Sequence, residues 1–304
     1  MLFSHLQVLG TKGNFTSSLV GPMPVDVEQS SLAFQKLNRH LSELTAKTAP
    51  QSVHKFRTYS RRVEALLGEL SPELSRNDRK LLKLLARLRK KAGRVRDLDV
   101  QMASLRGLKI SQEPRRKSQL LRNVTEDRAK REQKLASNFD KPTVRELRKR
   151  LKRAASELNI PQGTEPLRVA LRLVAELGQD EAPLTEKVLH QYRIAGKRAR
   201  YIAELAGDNP QAQSVVEQLK LMQDVIGDWH DSLKLTKRAE EMFGGVVDSG
   251  LVAALRNVTR AKFHRAFEVL INTRAALSGK KPISAVASTA RRSSGRVKSQ
   301  AVAA

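Results

Sequence analysis

The sequence predicts an all-α protein, and three observations support that prediction. Leu and Ala dominate the apolar residues, which favours helices over strands. Apolar residues recur with helical periodicity from about Glu28 to Ser278. One short helical pattern also occurs twice, which indicates an internal duplication. We therefore predict two pseudo-symmetric four-helix bundles, each formed by one half of the chain.

The division between the two bundles is predicted at a loop. The stretch from Asn159 to Pro166 concentrates Pro and Gly between helical segments, as linkers do. The residues from Gly279 onward contain Ser, Ala and basic residues but no acidic residue, which is typical of disorder. The predicted segments are a flexible lead-in at 1–27, a first bundle at 28–160, a second bundle at 161–278 and a disordered basic tail at 279–304.

The helices of each bundle are placed by their apolar spacing and their breaks. Pro72 ends one helix, and Gly93 and Gly227 are expected to interrupt two others. In the first half, helices are predicted at Glu28–Lys47, Ser52–Leu70 and Ser75–Lys91, again after Gly93, and from Pro142. In the second half, they are predicted near 167–178, 184–206, 211–226, 228–243 and 249–278.

The charge of the chain indicates a polyanionic partner. There are 57 Lys and Arg against 31 Asp and Glu, which gives a formal net charge of +26. Repulsion among so many like charges destabilises a compact protein unless a partner neutralises it, and nucleic acid, an anionic membrane surface and polyphosphate are the candidates. One Trp, three Tyr and eight Phe are too few for a module that stacks single-stranded bases, but electrostatic DNA binding stays open.

The composition also restricts where the protein is expected to act. The chain has no cysteine, which excludes disulfides and fits a reducing compartment. No apolar stretch is long enough to predict a membrane-spanning helix. The N-terminal residues lack the charged start and continuous apolar segment of a secretory signal. We therefore expect a cytoplasmic protein.

The repeated pattern is the main functional signal. It reads HKFRTYSRRVEALL in the first copy and HQYRIAGKRARYIAEL in the second. On a helix, positions 0, 3 and 7 of such a pattern lie within about 60° of one another. Guanidinium and ammonium groups aligned in this way suit the phosphate groups of a linear polyphosphate, and a merely solvated helix face is the alternative. The aligned residues are His54, Arg57 and Arg61 in the first copy and His190, Arg193 and Lys197 in the second.

The role of the two histidines stays open at this level. Contact with phosphate, structural hydrogen bonding and metal ligation are each compatible with a histidine that heads a basic stripe. No nucleophile–base arrangement, Gly-rich phosphate loop or metal-ligand cluster is recognisable. We therefore expect no enzymatic activity, no cofactor and no bound metal.

A second correspondence accompanies the histidine pattern. GRVRD from Gly93 and GDWHD from Gly227 match as Gly-x-x-x-Asp, and each follows its histidine at nearly the same distance. Asp97 and Asp231 are expected where a helix starts afresh. They would cap that helix, pair with Arg, or orient basic side chains toward the ligand.

Four segments of the chain resemble the signatures of the CHAD family, the conserved histidine α-helical domain. They are VHKFRTYSRRVEALL, GRVRDLDV, LHQYRIAGKRARYIAEL and LKLMQDVIGDWHD, in the expected order between Val53 and Asp231. The resemblance implies two pseudo-symmetric bundles with a basic groove or pore that binds inorganic polyphosphate without catalysis. Some family members are fused to triphosphate-processing domains; no such domain is expected before this copy, so any enzymatic role would come from a polyphosphate-metabolising partner.

The resemblance also implies a set of site residues and a place of action. Binding at polyphosphate granules in the cytoplasm is the predicted function. A nucleoid-associated or RNA-binding protein that acts through bulk positive charge and the basic tail is the alternative. The predicted polyphosphate-binding residues are His54, Arg57, Arg61, Arg62, Arg96, His190, Arg193, Lys197, Arg198, Arg200 and Lys220, supported by Asp97, Asp231 and Tyr201.

Overall fold

The computed structural model describes residues 25–109, 113–178, 185–244 and 249–278, and this part of the chain forms helices and loops without a strand. The prediction of an all-α fold is confirmed. The predicted tail, and all but the last residues of the predicted lead-in, lie outside the described residues. Within them, no helix combines the length and hydropathy needed to cross a bilayer. The helices are α1 (Val27–Ala46), α2 (Pro50–Leu70), α3 (Arg76–Gly107), α4 (Pro114–Ala136), α5 (Lys141–Ser156), α6 (Pro166–Ala175), α7 (Glu186–Ala203), α8 (Pro210–Phe243) and α9 (Gly250–Leu277), with short 3-10 helices at Glu176–Gly178 and Glu204–Ala206.

Helix starts follow ordinary capping chemistry. The Ser75 hydroxyl accepts a hydrogen bond from the backbone N–H of Asp78 at 3.1 Å, and the Asp78 carboxylate accepts one from the backbone N–H of Ser75 at 3.1 Å. Proline occupies the first turn of α2, α4, α5, α6 and α8, where a missing N–H costs nothing. Helix α2 consequently begins at Pro50 and not after a Ser52 cap, as the sequence had suggested.

The two glycines that were expected to interrupt helices do not do so. Gly93 lies inside α3 and Gly227 lies inside α8, and both helices continue well past them. A glycine in a helix interior costs only about 1 kcal/mol relative to alanine. Apolar contacts on both sides of each glycine outweigh that cost. Asp97 and Asp231 therefore lie within helices, and the predicted capping role for them is wrong.

Neighbouring helices in the chain pack side by side, and the two halves show a matching order. In the first half, α1 contacts α2, α2 contacts α3 and α3 contacts α4; in the second half, α6, α7, α8 and α9 repeat this series. The halves meet where α2 packs against α7 and α3 against α8. Helix α5 is an addition to the first half that packs on α1 and α3. The matching order agrees with an internal duplication, which itself stays a prediction.

Each hydrophobic core of the described chain combines residues of both halves. The larger core includes Phe56 of α2 and Tyr192 of α7, which are buried together with Trp229 of α8. The smaller core lies where the C-terminal parts of α3 and α8 meet α4 and α9, and it includes Leu105 and Leu235. The halves therefore share their buried surface, which fixes α2, α3, α7 and α8 around the space between them.

Candidate functional site

Two neighbouring cavities lie between the helices that join the halves. The one that we call the four-helix cavity is bordered by α2, α3, α7 and α8 and has a volume of about 390 Å³. The one that we call the three-helix cavity is bordered by α2, α3 and α7 and has a volume of about 590 Å³. Of the predicted site residues, His54, Arg57, Arg61, Arg96, Asp97, Arg193, Lys197, Arg200, Tyr201 and Asp231 line the four-helix cavity, and Arg61, His190, Arg193, Lys197, Arg198 and Tyr201 line the three-helix cavity.

Four residues line both cavities, and we call them the shared wall: Arg61, Arg193, Lys197 and Tyr201. In the part of the chain that the structure describes, none of the three cations forms an ion pair, whereas their neighbours on α2 and α7 do. The Nε of Arg193 is buried and lacks a hydrogen-bond partner among the same residues. The two guanidinium groups repel each other and disfavour a charge on the Lys197 amine beside them, so the shared wall has unpaired positive charge.

The amine of Lys197 is strongly perturbed by this arrangement. Burial lowers its pKa to about 6, and repulsion from Arg193 and Arg61 contributes to the shift. The carboxylate of Asp231 opposes the shift only in part. Lys197 is therefore largely neutral at pH 7.5 when no anion is present, and an arriving anion would favour its protonated form.

The Arg57 side chain packs into a gap that glycine leaves on α3. A Cβ atom at Gly93 would lie 3.5 Å from the Cζ of the Arg57 guanidinium. The Arg57 Nη1 lies 3.7 Å from Oδ1 of Asp97, which makes a long ion pair. Burial, followed by repulsion from Arg61, lowers the pKa of Arg57 to about 10, so the group stays charged at neutral pH. Gly93 thus lies beside the Arg57 guanidinium, where an added methyl group would make an ordinary van der Waals contact, and it does not end a helix.

The two histidines lie in different cavities, although they head equivalent copies of the pattern. Both side chains are exposed. Desolvation by the surrounding protein lowers the pKa of each ring, assisted by repulsion from Arg96 at His54 and from Arg193 at His190. The His190 ring also lies 5.2 Å, centroid to centroid, from the ring of His230. The lowered pKa favours the uncharged ring, which can donate or accept a hydrogen bond in its cavity.

The two aspartates of the Gly-x-x-x-Asp correspondence lie beside these cations. Asp97 accepts a hydrogen bond from Nζ of Lys234 at 2.7 Å and so links α3 to α8. Its other oxygen faces Arg57, which agrees with the predicted orienting role. Burial raises the pKa of Asp231, and the nearby guanidinium of Arg193 lowers it in part. No group of three His, Asp or Glu within the described ranges is placed to hold a metal ion.

Three further predicted residues line a cavity. Half-buried Arg96 and Arg200 lie in the four-helix cavity, and exposed Arg198 lies in the three-helix cavity. Nε of Arg200 is 3.5 Å from Glu204 on the following turn. Arg198 forms an ion pair with Glu69 of α2, which ties the two helices together across the halves.

Two predicted residues line neither cavity. Nη2 of Arg62 lies 2.7 Å from Glu204, and the Arg62 guanidinium lies 5.0 Å from the centre of the Tyr59 ring and 5.6 Å from that of Tyr201. Lys220 is exposed on α8, one turn before Gln223 and Asp224 of the four-helix cavity, and it does not line that cavity itself. The geometry gives Arg62 a structural contact between α2 and the end of α7, and it places Lys220 at the outer surface.

The repeated pattern did not predict some residues at or near the cavities, because the equivalent positions in the other half hold different residue types. In the three-helix cavity, Nη2 of Arg89 donates a hydrogen bond to Glu64 at 2.8 Å. The position equivalent to Arg89 is Gln223, whose amide donates to the Gly196 carbonyl at 2.8 Å. Lys234, which lines neither cavity but pairs with Asp97, likewise has no basic counterpart in the first half. A pattern that requires like residues in both halves cannot detect such groups.

The fold and the cavities together define a class of protein: a helical domain in two matching series, with basic cavities where the series meet. The model of the CHAD domain family matches residues 28–240, which include α2, α3, α7 and most of α8. The chain therefore belongs to the CHAD domain family.

Two solved structures are similar to this fold. The crystal structure of the CHAD domain from the plant Ricinus communis has 18% sequence identity and a TM-score of 0.61, and the match covers 86% of this chain and 95% of that one. PptA from Streptomyces chartreusis has 15% identity and a TM-score of 0.65, with 83% of this chain and 99% of that one covered. At these identities the likeness shows the fold alone. No curated protein matches the chain.

Proposed function

We propose that this protein binds inorganic polyphosphate in the two cavities and acts as a binding protein without enzymatic activity. The shared wall carries the proposal. Arg61, Arg193 and Lys197 stand together without an ion pair to any described residue. Desolvated cations are costly unless an anion joins them, and a phosphate group supplies that anion. The resemblance to the CHAD family implies the same ligand.

The arrangement of the cations favours a linear polyanion over a single small anion. The two cavities are neighbours, and each adds its own cations to the shared wall: Arg57 and Arg96 on one side, Arg198 on the other. A single phosphate would occupy one cavity and leave the other uncompensated. A chain with a charge on each successive phosphate can contact both at once.

Competition between polyanions tests the proposed ligand directly. Fluorescently labelled long-chain polyphosphate is titrated with the protein at physiological salt, and unlabelled polyphosphate or duplex DNA is added as competitor. We expect unlabelled polyphosphate to displace the label at far lower phosphate concentration than DNA does. Equal or better competition by DNA would instead indicate the nucleic-acid alternative, with binding through bulk charge.

The absence of catalysis and the location are tested separately. Incubation of the protein with polyphosphate and Mg²⁺ is expected to release no orthophosphate above the buffer control; sustained release would overturn the non-enzymatic assignment. We propose that the protein acts in the cytoplasm at polyphosphate granules, where a polyphosphate-metabolising enzyme is its expected neighbour. A fluorescent fusion should colocalise with such granules, and a variant that lacks Arg61 and Lys197 should be diffuse.

A further inference from the structure

The outer face of α3 carries a stripe of basic residues that neither cavity includes. The side chains of the stripe are all exposed, and none forms an ion pair within the described part of the chain. At about 100° per residue they fall within about 100° of one another and extend along about 27 Å of helix. They lie opposite the buried Leu81, Leu85 and Leu88. This α3 stripe consists of Arg76, Arg79, Lys80, Lys83, Arg87, Lys90 and Arg94.

The α3 stripe is specific to the first half of the chain. Helix α8 is the counterpart of α3, and its equivalent positions are Pro210, Gln213, Ser214, Glu217, Leu221, Asp224 and Asp228. A helix face in water does not require uniform charge, as the mixed set of residues on α8 demonstrates. Uniform positive charge on α3 adds self-repulsion, which a bound polyanion would remove. Solubility alone therefore does not explain the uniform positive charge of the α3 stripe. The repeated pattern does not explain it either, because the equivalent positions of α8 are not basic.

The α3 stripe runs along the edge of the three-helix cavity. Leu82 and Ala86 of α3 line that cavity. On a helix surface, residues three or four apart are neighbours, so Ala86 adjoins both Lys83 and Lys90, and Leu82 adjoins Arg79. A ligand that leaves the cavity across Ala86 therefore meets the stripe without crossing an acidic residue of α3.

We propose that the α3 stripe is a second polyphosphate-binding surface, which holds the part of a long chain that emerges from the three-helix cavity. The inference rests on the proposed function of the cavities. The contiguity of stripe and cavity favours the same ligand over duplex nucleic acid, and the stripe has no exposed large apolar residue to insert into a bilayer. Short chains occupy the cavities alone, whereas long chains bind cavity and stripe together and gain affinity from the second contact.

A pair of matched triple variants tests this surface. The stripe variant is Lys80→Gln, Lys83→Gln and Arg87→Gln; the control is Arg122→Gln, Lys130→Gln and Lys134→Gln on α4, which removes the same charges from equally exposed positions. Binding of a short polyphosphate and of a long one is measured at physiological salt. The stripe variant should lose about tenfold or more in affinity for the long chain and less than about twofold for the short one, and the control should change both by less than about twofold.

Three outcomes would overturn the proposal. One is an unchanged affinity of the stripe variant for the long chain. The second is an equal loss for both lengths, which indicates general electrostatics. The third is a loss confined to duplex DNA, which identifies a nucleic-acid surface. Failure of the proposed function is distinguishable, because removal of Arg61 and Lys197 would then leave short-chain binding unchanged. Helical circular dichroism of each variant confirms that the fold is retained.

Discussion

The two halves line the cavities with equivalent helices, but these helices carry different charged residues. Where α2 has Glu64, the equivalent position of α7 is Arg200; where α3 has Arg89, the equivalent position of α8 is Gln223. The first half therefore encloses a Glu64–Arg89 ion pair in the three-helix cavity. The second half exposes Arg200 to the four-helix cavity, beside a glutamine that binds backbone.

The comparison distinguishes basic positions that both halves share from those that only one half has. Two pairs that are basic in both halves, Arg57 with Arg193 and Arg61 with Lys197, supply all three basic residues of the shared wall. Arg89 and Arg200, which have no basic counterpart, line only one cavity each, and the α3 stripe has no counterpart on α8. The repeated pattern thus supplies the positive charge between the cavities, and the unrepeated residues make the two cavities differ.

The largest expected effect comes from removing Arg61 and its equivalent Lys197, which both belong to the shared wall. Arg61→Ala combined with Lys197→Ala should weaken polyphosphate binding at least about a hundredfold, since each charged hydrogen bond contributes about 1.5–3 kcal/mol. The exposed pair Arg122→Ala with Lys130→Ala is the matched control and should change affinity less than about threefold. Titration calorimetry gives both constants. Equal losses in the two variants would show that total charge, and not the shared wall, governs binding.

The pH dependence distinguishes the two members of that pair. Burial lowers the pKa of Lys197 in the free protein to about 6, and we expect a bound phosphate chain to raise it. Affinity should therefore be highest below pH 6 and fall as the pH rises through neutrality, by up to about tenfold per pH unit for one proton. Binding at pH 7.5 takes up that proton, which calorimetry in buffers of different ionisation enthalpy detects. Lys197→Arg should abolish the uptake; an unchanged uptake in that variant would assign it to another group.

The role of the Glu64–Arg89 ion pair is tested by replacing Arg89 with glutamine, the residue at the equivalent position of the second half. Burial raises the pKa of Glu64 and the Arg89 charge opposes that shift, so Arg89→Gln leaves a carboxylate without its partner in the three-helix cavity. We expect about a tenfold loss of affinity, from one lost cation and one unmasked negative charge. Adding Glu64→Gln to the variant should restore most of the loss. If the double variant binds as weakly as the single one, Arg89 itself contacts the ligand.

The smallest effect concerns the equivalent glycines of α3 and α8. Gly227→Ala should raise the free energy of unfolding by about 0.5–1 kcal/mol, since an added methyl group meets nothing within 4 Å and alanine favours helix. Gly93→Ala should gain a similar amount, because its methyl group would make an ordinary van der Waals contact with the Arg57 guanidinium at 3.5 Å. Urea denaturation measures both changes. A loss of stability at either position would show that the added methyl group is not accommodated there.

Sequence patterns predicted much of this architecture because the apolar residues of a helix recur with a spacing that can be seen in the sequence. The periodic leucines of α3 and the repeated basic pattern on α2 and α7 identified the elements and the cations between them. Patterns could not show that the helices continue through Gly93 and Gly227, because packing on both sides decides that and lies outside a local window. Nor could they place His54 and His190 in different cavities, since that depends on how α2 and α7 pack against each other and against α3 and α8. Arg89 and Lys234 were missed for the simpler reason that they have no like counterpart.

The composition of the smaller core predicts what happens when the two halves are separated by cleavage of the chain. It joins the C-terminal parts of α3 and α8 with α4 and α9, so its apolar side chains are covered only when both halves are present. A chain cut in the loop between α5 and α6 would leave each fragment with Leu105 or Leu235 facing water. We expect such fragments to aggregate or to reassociate, and not to persist as separate domains.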